Sequence, residues 1–198
     1  MNGASIVFGL PLWLWIVFGL GLVGTGAYFA RDLLRQRRAR MAIDNVISSV
    51  AYEELRNVLL PTGTGEQVHV NYLLLTQRGL LVIDLFDVSG MIFAGEKMAQ
   101  WSVFGPKRHF TFTNPLPMLE DRVSAVRNLA GEVPVEGRIV FSMRGEFPKG
   151  RPDIVLRLDA LQDEFPVVER SAGGAAAAFA PVWEHVKQAA QPNPLARK

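Results

Sequence analysis

Cysteine is absent from the 198-residue chain, which removes disulfides, thiolate nucleophiles and cysteine metal sites at once. Histidine is scarce, and the three present, His69, His109 and His185, have no spacing that suggests a metal site. A complete phosphate-binding loop is missing too. Thr62-Gly63-Thr64-Gly65 lacks the Gly-Lys-Ser/Thr ending such a loop needs, and reads as a turn. No internal repeat occurs. The last absence is positional: residues 1–30 carry no charged side chain.

That uncharged stretch shapes the rest of the reading. From Ser5 to Ala30 the chain offers 26 uncharged residues, and a helix of about 20 crosses the ~30 Å hydrocarbon core of a bilayer. The expectation is one retained transmembrane helix, roughly Ile6 to Ala30, with Trp13, Trp15 and Tyr28 of the kind that sit near interfaces. A cleaved signal peptide normally opens with basic residues and has a shorter apolar core, whereas here the arginines follow the run. Gly21 with Thr25, and Gly26 with Ala30, have small-xxx-small spacing, so a homodimer through the glycine-rich half of the helix stays open.

The net charge of +2 is unevenly distributed. Residues 31–40 hold five arginines and one aspartate, leaving 16 basic and 18 acidic residues for the rest of the chain. The basicity is therefore a property of the juxtamembrane segment. Arg31, Arg35, Arg37, Arg38 and Arg40 set the expected direction: N-terminus outside, domain cytoplasmic, in a single-pass protein of the cell membrane. The bilayer is the first expected partner, with these arginines near anionic headgroups.

Four segments follow: an anchor over 1–30, a basic segment over 31–41, a folded domain over 42–170, and a C-terminal helix and tail over 171–198. Apolar residues at Ile43, Val46, Ile47, Val50, Leu55, Val58 and Leu59 predict a helix over 41–60, ending before Pro61. Two apolar runs, Val68–Thr76 and Leu80–Phe86, flank Gln77-Arg78-Gly79 and predict an antiparallel hairpin at the centre of a sheet. Short strands are expected at Met91–Ala94, His109–Thr113, Arg138–Ser142 and Asp153–Leu156. Helices are expected over 118–130, with Leu119, Val123, Val126 and Leu129 as the apolar stripe, over Leu158–Glu164, and at the C-terminus to about Ala190. Residues 191–198 read as frayed. The interleaving places the domain in the mixed α/β class.

Several of these segments together resemble the NERD (nuclease-related domain) family. They are the hairpin VNYLLLTQRGLLVIDLFDVSG (70–90), Trp101, Asn114-Pro115 before a helix, IVFSMRGEF (139–147) and the upstream NVLLP (57–61), covering about residues 42–165. The resemblance implies a mixed-sheet, restriction-endonuclease-like fold preceded by the transmembrane helix. It also implies Mg²⁺-dependent nuclease chemistry, which needs two carboxylates converging on the metal and a lysine near the attacking water. Residues two apart on a strand share a face, so the family's Glu-x-Lys acts as a unit.

By that resemblance the family's catalytic positions are altered here. Its first aspartate falls on Asn71, its glutamate on Asp84, its lysine on Phe86, and its later glutamine near Met118. Asp44 is a loose counterpart of an upstream acid. Asp84 is thus the one carboxylate left in a degenerate site, and its bland reading is a strand-end acid held by hydrogen bonds. Asp87, three residues on, points to the opposite face of a regular strand. The expected function is a non-catalytic, membrane-anchored domain with no cofactor, binding a protein or nucleic acid. The alternative is a divergent nuclease acting on DNA or RNA with Mg²⁺. That alternative needs Asp44, Asp84 and a migrated lysine, such as Lys97 or Lys107, to converge. Phe104, Phe110 and Phe112, near Lys107 and Arg108, are either core or a stacking surface for single strands.

Overall fold

The structure, a computed structural model, describes residues 6–7, 10–105, 108–168 and 174–194. Its side chains are described from Tyr28 onward, apart from residues 29, 32, 36, 174 and 175 within helices. The chain divides into two units, Met1–Ala42 and Ile43–Lys198. The first holds a two-residue pairing of β1 (Ile6–Val7) with β2 (Leu10–Pro11) and most of the helix α1 (Leu12–Ser49). Most of the segment read as a membrane span lies outside the residues whose side chains are described. Among the described residues no helix is long and apolar enough to cross a membrane.

The second unit is built on a six-stranded sheet in the order β11-β9-β5-β4-β3-β12. Its strands are β3 (Glu53–Pro61), β4 (Gln67–Thr76), β5 (Gly79–Phe86), β9 (Val135–Phe141), β11 (Val155–Arg157) and β12 (Gln191–Pro192). The expected hairpin is present at its centre, with Tyr72 opposite Ile83 and Thr76 opposite Gly79. Beyond β5 the chain forms β6 (Gly90–Phe93), β7 (Gln100–Phe104) and β8 (His109–Thr113). With β10 (Gly145–Glu146) these make a second, four-stranded sheet. The helix α2 (Leu116–Ala130) then returns the chain to β9, which lies parallel to β5. A single 3₁₀ turn, α3 (Leu161–Glu164) and α4 (Gly174–Ala189) complete the unit.

Alternation along the central strands explains why both faces of the large sheet must be covered. Leu74, Leu81, Ile83 and Val140 pack with Ile43 and Ile47 near the end of α1, with Val50 just after it and with Leu161 of α3. Leu73, Leu75, Leu80, Val82, Ile139 and Phe141 pack on the other face with Leu119, Val123 and Val126 of α2 and with Trp183 and Val186 of α4. A Cβ on Gly137 would lie 2.6 Å from Val123 Cγ2, so a glycine there lets α2 settle close to the strands.

Two expectations need correction. The predicted helix over 41–60 stops at Ser49, and Glu53–Pro61 is a strand. Its apolar residues fit either period, and pairing decides between them. Eight register pairs, from Glu53–Leu75 to Pro61–Gln67, use the open edge of β4 and bury Val58 and Leu60. Residues 191–192, read as part of a frayed tail, pair with Leu59 and Val58 as the edge strand β12. The strand β7 was not anticipated. Its Trp101 is fully buried and donates from Nε1 to the Gly95 carbonyl at 3.0 Å. Asn114 explains the Asn-Pro step. Its amide donates to the carbonyls of Glu96 and Met98, and its Oδ1 accepts from Leu116 N, clamping the 95–99 turn to the start of α2.

Candidate functional site

Asp84 lies near the end of β5, after Ile83, whose side chain faces α1. The next residue on a strand points the other way, so Asp84 faces α2. It is 1% exposed, and an unshielded carboxylate there would carry a large desolvation cost. The chain offsets part of that cost with Arg122, on the flank of the apolar stripe of α2 beside Val123. Its guanidinium forms a close ion pair with Asp84 Oδ2. The same side chain donates from Nε to the His69 carbonyl at 2.5 Å and lies 3.0 Å from Met118 Sδ, one turn back on α2.

Arg122 can reach the His69 carbonyl because the ladder opens there. The register of β3 with β4 skips Asn57 opposite Asn71, and Asn57 has φ of +50°, a left-handed conformation asparagine tolerates. On its other side β4 pairs with β5 only from Tyr72 onward. Asn71 therefore sits at the break in both ladders, and the carbonyl two residues before it accepts from an arginine.

The electrostatics follow from burial. Desolvation pushes the Asp84 carboxyl above its usual range, and the charge and hydrogen bonds of Arg122 oppose that shift. A raised value means this group favours the fold below the ordinary carboxylate range and loses that contribution as pH rises through the folded value. His69 shifts downward, first through burial and then through the nearby Arg122 charge. Its Nε2 is buried without a hydrogen-bond partner among the described residues.

Of the residues singled out from the sequence, Met118 joins Asp84 through Arg122, while the acids and cations a metal site would need do not converge among the described residues. Asp44 accepts from the Tyr72 hydroxyl at 2.7 Å and pairs with Arg56 at 2.9 Å, on the face of the sheet covered by α1. Asp84 is on the opposite face. Phe86 shares the Asp84 face but belongs to an aromatic group, its ring 5.6 Å from Phe112 and 5.3 Å from Phe141. Asp87 forms a surface pair with Arg144. Lys97 lines a groove with Lys149 and Arg151, and Lys107 lies outside the described residues. Phe110 and Phe112 pack against the core, whereas Phe104 is 44% exposed.

The donor set does not fit Mg²⁺. A hard dication needs several anionic or neutral oxygens converging on one point, and here a guanidinium occupies the face of the one buried carboxylate. Among the described residues no group of three or more His, Asp or Glu could hold a metal. Arg122 was missed by sequence reasoning. It is 38 residues from Asp84, and an arginine at the rim of a helix stripe is ordinarily read as a solvated flank.

Two consequences can be measured. Removing one partner of a buried pair strands the other charge, so Arg122→Ala should lower unfolding free energy by about 3–5 kcal/mol in urea denaturation. The double change Asp84→Leu with Arg122→Leu should cost clearly less than the two single changes summed. Additive losses would show that the pair is not coupled. For His69, the lowered folded value means its contribution is intact above about pH 6.5 and is lost as pH falls through that value. The urea midpoint should therefore drop between neutrality and about pH 5, and His69→Phe should reduce that drop. An identical pH dependence in the variant would assign the effect elsewhere.

The comparisons with known proteins agree with this architecture at the level of family. No curated protein and no solved structure matches the chain at a significant level. The model of the nuclease-related domain matches residues 32–142, which starts ahead of the segment expected from the sequence and ends at Ser142, just after β9. That span contains the central hairpin, the small sheet, α2 and the Asp84–Arg122 pair, and covers more than half of the 198 residues. The chain belongs to the NERD, or nuclease-related domain, family.

Proposed function

We propose that the chain is a NERD domain tethered to the cytoplasmic face of the cell membrane, where it binds a protein or nucleic acid without cleaving it. The observation that carries this reading is the Arg122 guanidinium seated on Asp84. Phosphodiester hydrolysis in a metal-dependent site needs carboxylates free to ligate the ion and a cation near the attacking water. Here the carboxylate is taken by an arginine. Where the resemblance expects a lysine, Phe86 fills space between Phe112 and Phe141. Asn71, at the first aspartate position, is a neutral and weaker ligand. Asp44, the other acid available, is bonded on the far face of the sheet.

A cleavage assay on the full chain in detergent tests this directly. Incubated with single- and double-stranded DNA and RNA and Mg²⁺ or Mn²⁺, it should cleave no faster than its Asp84→Asn variant. Robust cleavage that disappears in Asp84→Asn would overturn the proposal. Restoring activity should require removing the arginine as well as supplying ligands, so Asn71→Asp with Phe86→Lys alone should stay inactive while Arg122 remains.

The anchor rests on the 26 uncharged residues from Ser5 to Ala30, and its direction on the five arginines that follow. If it is correct, the protein stays in the membrane pellet after alkaline carbonate washing, and deletion of residues 1–30 releases it. Full-length protein recovered in the wash supernatant would rule the anchor out.

A further inference from the structure

The four-stranded sheet has two unlike faces. Ile92, Trp101 and Val103 are fully buried on one, with Phe110 and Phe112 packed beside them. Strand alternation therefore turns Met91, Phe93, Phe104 and His109 to the other. This second face is wet: Met91 is 46% and Phe104 44% exposed. It is also aromatic across all three long strands. Phe104 stacks on His109 with ring centroids 4.2 Å apart and meets Phe93 edge-on at 5.3 Å.

Positive charge lies at the Phe93 end of this ring surface, where Lys149 Nζ sits 5.7 Å from the ring centroid. Lys149 also lines an open groove of about 500 Å³ with Lys97, Arg151 and a single acid, Glu96. Among the described residues none of those three cations has a carboxylate within ion-pair distance. The smaller cleft of about 310 Å³ beside Arg108 and Arg144 is lined by Phe110, over whose ring Arg108 lies, so it belongs to the core side of the sheet, and its Arg144 is paired with Asp87.

We propose that this face binds single-stranded nucleic acid, with bases stacked on Phe104 and Phe93 and flanking phosphates held in the groove of Lys97, Lys149 and Arg151. The pattern answers two properties of that ligand together. Each base has a π-face that an exposed ring can cover, and each linkage carries a charge that an unpaired lysine or arginine can neutralise. A duplex hides its base faces, so the rings discriminate against it. Two or three bases are what a small sheet with surface aromatics accommodates. An acidic peptide would use the cations and leave the rings unexplained. This inference rests on the binding role proposed above and names its ligand class, but none of its residues belongs to the Asp84 site.

The test is fluorescence anisotropy on the full chain in non-ionic detergent with EDTA. The probes are end-labelled oligo(dT) and oligo(U) of roughly 10 nucleotides, within the range of single-strand site sizes, and a matched duplex. Single strands should bind more tightly than the duplex, and binding should weaken steeply with salt. Phe104→Ala should weaken it by about 5-fold or more. Lys149→Glu should weaken it and flatten the salt dependence. Both positions are at the surface, so thermal unfolding should stay near that of the parent chain. No binding, equal binding of duplex, or an unchanged affinity in both variants would overturn the proposal. So would capture of phosphatidylserine vesicles through Lys149 with no oligonucleotide binding. Replacing EDTA with Mg²⁺ separates the two proposals. A cleaved oligonucleotide defeats the non-catalytic reading alone, and an intact, unbound one defeats this inference alone.

Discussion

Burying a carboxylate at the centre of a sheet requires a compensating charge within hydrogen-bond reach, because the desolvation cost otherwise exceeds what one side chain returns. Asp84 is such a carboxylate, and Arg122 supplies the charge from α2. Much of the local arrangement depends on this pairing. It brings α2 over β5, holds the His69 carbonyl where the β4 ladder opens, and brings Met118 against the guanidinium. Gly137 makes the approach sterically feasible by leaving room for Val123. The helix is thus fixed by an apolar stripe along its length and by one buried charge at the stripe's edge.

This arrangement bears on what a nuclease-related scaffold can hold beneath its helix. A metal site and a buried ion pair solve the same problem, neutralising a carboxylate under a helix, with different consequences. An ion would leave open coordination positions for water and phosphate. A guanidinium held by Asp84 Oδ2, the His69 carbonyl and Met118 Sδ instead puts a fixed positive charge beside the carboxylate, whose Oδ1 has no hydrogen-bond partner among the described residues. Phe86 reinforces the change: beside Phe112 and Phe141 it contributes dispersion and ring contacts where a lysine would have needed a polar outlet.

The same alternation rule gives the second sheet its character. One face must be apolar because it closes the core around Trp101, and nothing in that requirement places Phe104, Phe93 and His109 on the other. Exposed rings beside Lys149 and Lys97, which have no carboxylate partner among the described residues, are unexpected on a surface selected only for solubility. The rings lie at the far side of the small sheet from the core, apart from the Asp84 site.

Period and composition by themselves determined the mixed α/β class, the central hairpin, α2 with its stripe, the terminal helix and the uncharged N-terminal run. These depend on local spacing, which a single chain carries openly. The family resemblance came from the same short-range patterns, and it picked out Asp84 and the altered Asn71 and Phe86. Tertiary structure decided the rest. Glu53–Pro61 became a strand because β4 offered an open edge, and Gln191–Pro192 joined the sheet because β3 offered the next one. Asp44 and Asp84 fell on opposite faces through the pleat, so two acids that looked combinable never meet. Arg122 reached Asp84 across 38 residues because a helix lay down on a glycine. Long-range pairing of this kind has no periodic signal: the energy that selects it, relief of one buried charge by another, exists only once both are folded into the same dry space.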